Sequence, residues 1–155
     1  QSQGARLGRV VLDSPMAADV TELYRRSADF LKPEALAQAG GRLPAPSRLE
    51  FAREPEQSMA LNREQNAIIL AASGMCDAGR IQHHLKHNLW RPEAQVVIVG
   101  YQAEGSIGRQ LIERARAVRL LGERIAVRAQ IHVLNGFSAH GDQQDLLEWL
   151  APALR

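Results

Sequence analysis

The sequence has a single cysteine, Cys76, which excludes an internal disulfide and any disulfide-stapled secreted scaffold. A reducing, cytoplasmic setting is the expectation that follows. Aromatic residues are scarce, at 5%, so a core must rest on Leu, Ile, Val and Ala. No apolar run approaches the roughly 18 residues of a membrane span, and no membrane association is expected. Gln1 to Arg9 is polar and lacks the apolar stretch of a signal peptide. An initiator Met is also missing, which points to a processed or excised chain. Net charge is only +2, too small to name a partner.

What is present is a globular composition. Hydrophobic residues make up 45% of 155 residues, above the range of disordered chains and enough for one domain with a sizeable core. Charge is uneven along the chain. Between Arg109 and Arg128 six arginines (109, 114, 116, 119, 124, 128) face two glutamates (113, 123). Such an excess suits phosphate contact, although a solvated surface is the plainer reading of charge alone.

Periodicity sets the organisation. Arg9 to Leu12 reads as a buried strand stopped at Asp13-Ser14-Pro15, and Met16 to about Leu31 as a helix. From Lys32 to Gln57, Gly40-Gly41 and four prolines mark loops with one short helix at most, and Ser58 to Asn62 reads as a further helical turn. Ala67 to Ala71 is a strand, Gly79 to Leu89 a helix, Gln95 to Val99 a strand and Ser106 to Arg114 a helix. Two successive strand-loop-helix units predict an α/β fold with parallel strands. Ala117 to Leu121 and Ile125 to Leu134 then suggest a hairpin around Gly122-Glu123, and Asp142 to Leu150 a closing helix.

Ligands of parallel α/β folds gather where strands end. Two loops qualify. In Ala72 to Asp77, Gly74 permits a tight turn, and Ser73 or Asp77 could cap the next helix beside an anion. Gly100 to Gly108 carries three glycines and Ser106, but no Walker lysine. Each alone is also readable as a simple turn. His83 and His87 share a helix face at metal-binding spacing, without the glutamate of a metalloprotease motif. A phosphate contact from His84 or Lys86, or a plain exposed face, is the alternative. His132 reads as structural. His140, in a loop beside Ser138 and Gly141, is a candidate ligand or general acid/base. Cys76 is a distant candidate nucleophile of a small stand-alone enzyme.

Taken together, these strings resemble one family. Ser73 to His87 is similar to the Ser-Gly-Met, Gly-Arg and His-His-Leu-Lys stretch of β-CASP nucleases, which are ribonucleases of metallo-β-lactamase fold. Val99 to Gly108 resembles their Gly-Tyr-Gln-Ala-Glu-Gly loop. Phe137-Ser138-Ala139-His140-Gly141-Asp142 resembles their motif C, and Leu12 to Ala17 a strand-end signature of bacterial and archaeal members.

The resemblance implies a zinc-dependent RNA phosphodiester hydrolase acting in RNA processing or decay, as in mRNA 3′-end cleavage. It implies two zinc ions in the whole enzyme, with His140 as metal ligand and catalytic residue. Ser73, Gly74, Arg80, His84 and Ser138 would contact RNA phosphates, Arg80 through a bidentate guanidinium. Residues 1–116 would form part of the β-CASP domain, and residues 117–155 a returning segment of the metallo-β-lactamase domain. RNA, the remainder of that domain and a second copy of the chain are the implied partners. The family's His-x-His-x-Asp-His ligands are absent, Asp13 is not one of them, and Gln110 stands where many relatives carry a histidine. This chain alone is therefore expected to hold no zinc and cut no RNA. A non-catalytic RNA-binding module is the alternative.

Overall fold

A computed structural model describes residues 8–30, 33, 49–136 and 141–154. Strand β1 (Val10–Asp13) pairs in parallel with β2 (Leu49–Phe51) on one side and β3 (Ile68–Ala71) on the other. Helix α1 (Pro15–Arg26) starts abruptly after β1. The Ser14 side chain accepts from the N–H of Ala17, and Pro15 supplies a preset φ at the first helical position. A 3-10 turn, Ala28–Phe30, follows. Helix α2 (Pro55–Leu61) lies between β2 and β3. Val11, Ala52 and Leu61, with Ile69 against them, form a small core under this sheet.

After β3 come helix α3 (Arg80–Asn88), strand β4 (Gln95–Val99) and helix α4 (Ile107–Ile112). Strands β5 (Ala117–Leu120) and β6 (Glu123–Ala126) form an antiparallel hairpin. Its two-residue turn, Leu121-Gly122, has positive φ at both positions, the geometry that matches strand twist in tight hairpins. Strand β7 (Gln130–Leu134) then runs parallel to β4, from Gln95 opposite Gln130 to Val99 opposite Leu134. Helix α5 (Gln143–Leu150) is capped by Asp142 and Asp145 in a reciprocal box, and a last 3-10 turn spans Ala151–Leu154.

The larger core joins Leu85 and Leu89 of α3, Ile98 of β4, Leu111 of α4 and Val118 and Leu120 of β5, with Cys76 and Ala129. Helix α3 thus packs into the larger core on one face and makes polar contacts toward β1 on another. Its Ile81-Leu85-Leu89 stripe packs into that core, and the Arg80-His84 stripe, four residues apart on another face, turns toward β1.

The α/β class with parallel strands matches the sequence reading, but three details differ. Strands β3 and β4 are not partners, since β3 pairs with β1 and β4 with β7. The apolar run Ile125 to Leu134 divides into β6 and β7, because Arg128 and Ala129 leave the hairpin and bond elsewhere. Arg128 and Ala129 donate to the Leu89 carbonyl at 2.7 and 2.9 Å. Strand β2 was not foreseen, because three residues carry too little alternation to read.

Helix α5 has no buried residue among those described, and Leu146, Leu147, Trp149 and Leu150 are exposed. No described helix is long and apolar enough to cross a membrane. Leu111 and Leu89 are fully buried. We predict that Leu111→Ala lowers unfolding free energy by roughly 3 kcal/mol, the scale of a buried leucine cavity, measured as a lower urea midpoint. A loss below about 1 kcal/mol would show that α4 is not part of the cooperative core.

Candidate functional site

The C-terminal ends of β1, β3 and β4 carry the polar chemistry. At the end of β1, the side chain of Asp13 is fully buried. A lone carboxylate there would be costly, so its oxygens must be met by donors. The Ser58 hydroxyl of α2 donates to Oδ2 at 2.6 Å, and Nε2 of His84 lies 2.5 Å from the same oxygen. Nη1 of Arg80 donates to Oδ1 at 2.7 Å. Burial, the largest single influence, opposes ionisation of Asp13. The bonds from Ser58, His84 and Arg80 together outweigh it and hold the carboxyl below its usual range. An ionised Asp13 only accepts, so Nε2 of His84 carries a proton.

Each partner is itself held. Arg80 also donates from Nη1 to the Ala52 carbonyl at 2.8 Å and from Nη2 to the Arg53 carbonyl at 2.7 Å. Nδ1 of His84 lies 3.2 Å from Oδ1 of Asn62. The network therefore fastens the start of α3 to the ends of β1, β2 and α2. Arg80 and His84 were expected from sequence to grip phosphate. Here both ring nitrogens of His84 and both terminal nitrogens of Arg80 have protein partners, so the bidentate grip would require breaking this network.

The two strand-end loops are locked together. Gln102 donates through Nε2 to the Gly74 carbonyl at 3.0 Å, and Gly108 N–H to the Met75 carbonyl at 3.0 Å. The N–H of Ile107 reaches Oδ1 of Asp77 at 2.8 Å, and that of Ala103 lies 3.3 Å from the Met75 sulfur. Gln102 is buried, and its Oε1 is so close to Gly108 that a Cβ there would lie 1.7 Å away. Only glycine lets α4 begin at this distance. Similarly, Gly79 has a φ of +75° and would bring a Cβ within 2.8 Å of the Ala72 carbonyl.

Against this frame, the outer edge of the first loop is free. Among the described residues, the Ser73 hydroxyl and the Gly74 N–H have no hydrogen-bond partner, and the space beside Gly74 is open. Gly74 is exposed. Gln110 donates to the Gly105 carbonyl at 3.3 Å and so closes the second loop. Ser138 and His140 lie outside the described residues. Asp13, Ser58, Asn62 and Gln102 were missed by sequence reasoning. An aspartate ending an apolar strand was the one visible signal, and the partners come from remote segments.

Among the described residues, no group of three or more His, Cys, Asp or Glu converges to hold a metal ion. His83 and His87 are exposed without a third donor, and the Asp13 oxygens already face a guanidinium, a hydroxyl and an imidazole. These residues do not fit a zinc pair. Cys76 is equally unsuited to nucleophilic work. Burial, with the Asp77 charge adding to it, pushes its thiol up to about 11.

The site is thus the ligand-gathering edge of a parallel α/β domain, built around a buried carboxylate. Residues 1–111 match the profile of the Beta-Casp domain. Residues 124–153 match that of the Zn-dependent metallo-hydrolase RNA specificity domain. Ribonuclease TTHA0252 of Thermus thermophilus is 46% identical over 154 residues, covering 96% of this chain and 36% of the relative. The transcription termination factor FttA of Pyrococcus abyssi is 32% identical over 105 residues, 64% of this chain and 16% of the relative. An RNase J-like protein of Methanocaldococcus jannaschii is 30% identical over 130 residues, 84% of this chain and 30% of the relative. The chain belongs to the β-CASP family of metallo-β-lactamase-fold nucleases, and it spans about a third or less of the length of these relatives.

Two predictions follow from the geometry. Asp13→Ala removes the partner of a half-buried guanidinium and a buried imidazole and is expected to cost about 3 kcal/mol near neutral pH. Because its folded pKa is depressed, the stability from Asp13 is present above the unfolded value of about 3.9 and is lost as pH falls through the folded value. The gap between wild type and variant in urea midpoint should narrow below about pH 4. A gap that stays constant to low pH would refute the ionised network. For Cys76, alkylation at about pH 8 should be roughly 100-fold slower in the folded chain than in urea. Equal rates would show the thiol to be accessible and ionisable.

Proposed function

We propose that this chain is the RNA-holding part of a zinc-dependent ribonuclease that hydrolyses phosphodiester bonds in RNA processing or decay. The observation that carries the reading is the locked pair of strand-end loops, with Ser73 and Gly74 at its free edge. The hydroxyl and N–H are donors without an internal claim, fixed in place by Gln102 and Gly108. Donors held rigidly before a ligand arrives bind without further ordering cost. A backbone phosphate is the ligand that such a pair recognises. The match of residues 124–153 to an RNA specificity domain, and relatives named as ribonucleases, support RNA as the source of that phosphate.

In the full-length protein, zinc would supply an activated water and polarise the scissile phosphate. Its ligands would come from outside the described residues, with His140 as the contribution of this chain. The described residues bind and orient: Ser73 and Gly74 meet phosphate, Arg80 and His84 keep α3 at the proper distance from β1, and Gln102 spaces the loops. Ser138 is a second proposed phosphate contact. Cytoplasmic location accords with a single buried free thiol.

The test uses the full-length protein and a labelled RNA oligonucleotide. Cleavage should stop on chelation and return with zinc, and Ser73→Ala should weaken RNA binding about tenfold, the value of one hydrogen bond to a charged group. Cleavage that survives chelation overturns the zinc dependence. Binding without cleavage under any metal condition favours the non-catalytic RNA-binding reading. Absence of both refutes an RNA function.

A further inference from the structure

We propose that the β5-β6 hairpin is a second RNA-contacting surface, a guanidinium ribbon that holds a stretch of single-stranded backbone away from the Ser73 loop. This rests on the RNA reading above. The hairpin buries Val118 and Leu120 on its inner face, with Ile125 packed beside them. Its outer face carries Arg119 directly opposite Arg124. Like charges in that register repel and weaken strand pairing. Among the described residues, no carboxylate relieves them. The hairpin's one acidic residue, Glu123, is turned to Lys86 of α3 at 2.6 Å, while Arg119 reaches only the Gly122 carbonyl at the turn.

Arg114, Arg116 and Arg128 extend the same charge along the hairpin's open end. The N–H of Val127 donates to the Arg116 carbonyl at 2.9 Å, which keeps the two flanks together. All five arginines are exposed, and none has an ion pair among the described residues. Outside this stretch, only Arg25 and Arg63 among the described arginines lack an ion pair. Arg9, Arg26, Arg53, Arg80, Arg91 and Arg109 each sit against a carboxylate. A concentration of unpaired guanidiniums on a rigid ribbon is the chemistry that recognises a polyanion. The RNA specificity match begins within this hairpin, at residue 124, and favours nucleic acid over an acidic peptide.

The experiment compares full-length wild type with the Arg119→Gln/Arg124→Gln double variant. The probe is a fluorescent 2′-O-methyl RNA of about 20 nucleotides, followed by anisotropy over a salt series. Each lost phosphate contact should reduce the slope of log K against log salt by about 0.7 for a single strand, so the double variant should lose about 1.4 and bind several-fold more weakly at low salt. Its melting temperature should hold or rise, since a repulsive pair is removed. An unchanged slope and affinity overturn the proposal while leaving the RNA reading intact. Unchanged RNA binding with loss of poly-glutamate binding assigns the ribbon to an acidic protein segment, which also overturns it. Failure of wild type to bind the probe refutes the RNA reading and this proposal with it. Should the double variant unfold, Arg114→Gln/Arg128→Gln, outside the strands, must show the same loss of slope or the proposal fails.

Discussion

A carboxylate removed from water has to be surrounded by donors, and that requirement organises this chain. Asp13 sits at the end of the central strand of its sheet, and its oxygens are met from α2 and from two positions one helical turn apart on α3. Replacing any donor leaves charge in a place where water cannot compensate. The helix that supplies two of them also supplies Leu85 and Leu89 to the larger core. Position and orientation of α3 are therefore fixed from two sides by different physics: directional charge-assisted bonds on one face and apolar packing on the other.

That fixed helix sets the loop before it. Gly79 lies tight against Ala72, and the loop between them is clamped from the far side by Gln102 and the start of α4. The free edge at Ser73 and Gly74 is consequently rigid although it lies on the surface. Strand, helix and loop form one chain of constraint, from the buried charge outward to the donors that face solvent.

Local order was legible in the sequence where a feature fits in a short window. The apolar run of β4, the strand stop at Asp13-Ser14-Pro15 and the turn at Gly122 all reveal themselves through period, cap or glycine. The ordered motifs also disclosed the family. Pairing was not legible: β4 meets β7 across more than thirty intervening positions, and nothing in either run names its neighbour. The site was half legible for the same reason. Ser73 and Gly74 stand out as a turn, whereas the connection of Arg80 and His84 to Asp13 spans 67 and 71 positions. In sequence, a charged residue at a helix start looks alike whether it faces a substrate or a buried carboxylate, so the bonds of Arg80 and His84 to Asp13 are invisible there.

The same network has a consequence for how such chains diverge. A single replacement at position 13, 80 or 84 strands the charges or donors that remain, while a joint replacement by well-packed apolar residues can be tolerated. Substitutions at these places are thus expected to travel together through a lineage. Residue pairs so far apart in the chain should carry a correlated history that their individual identities conceal.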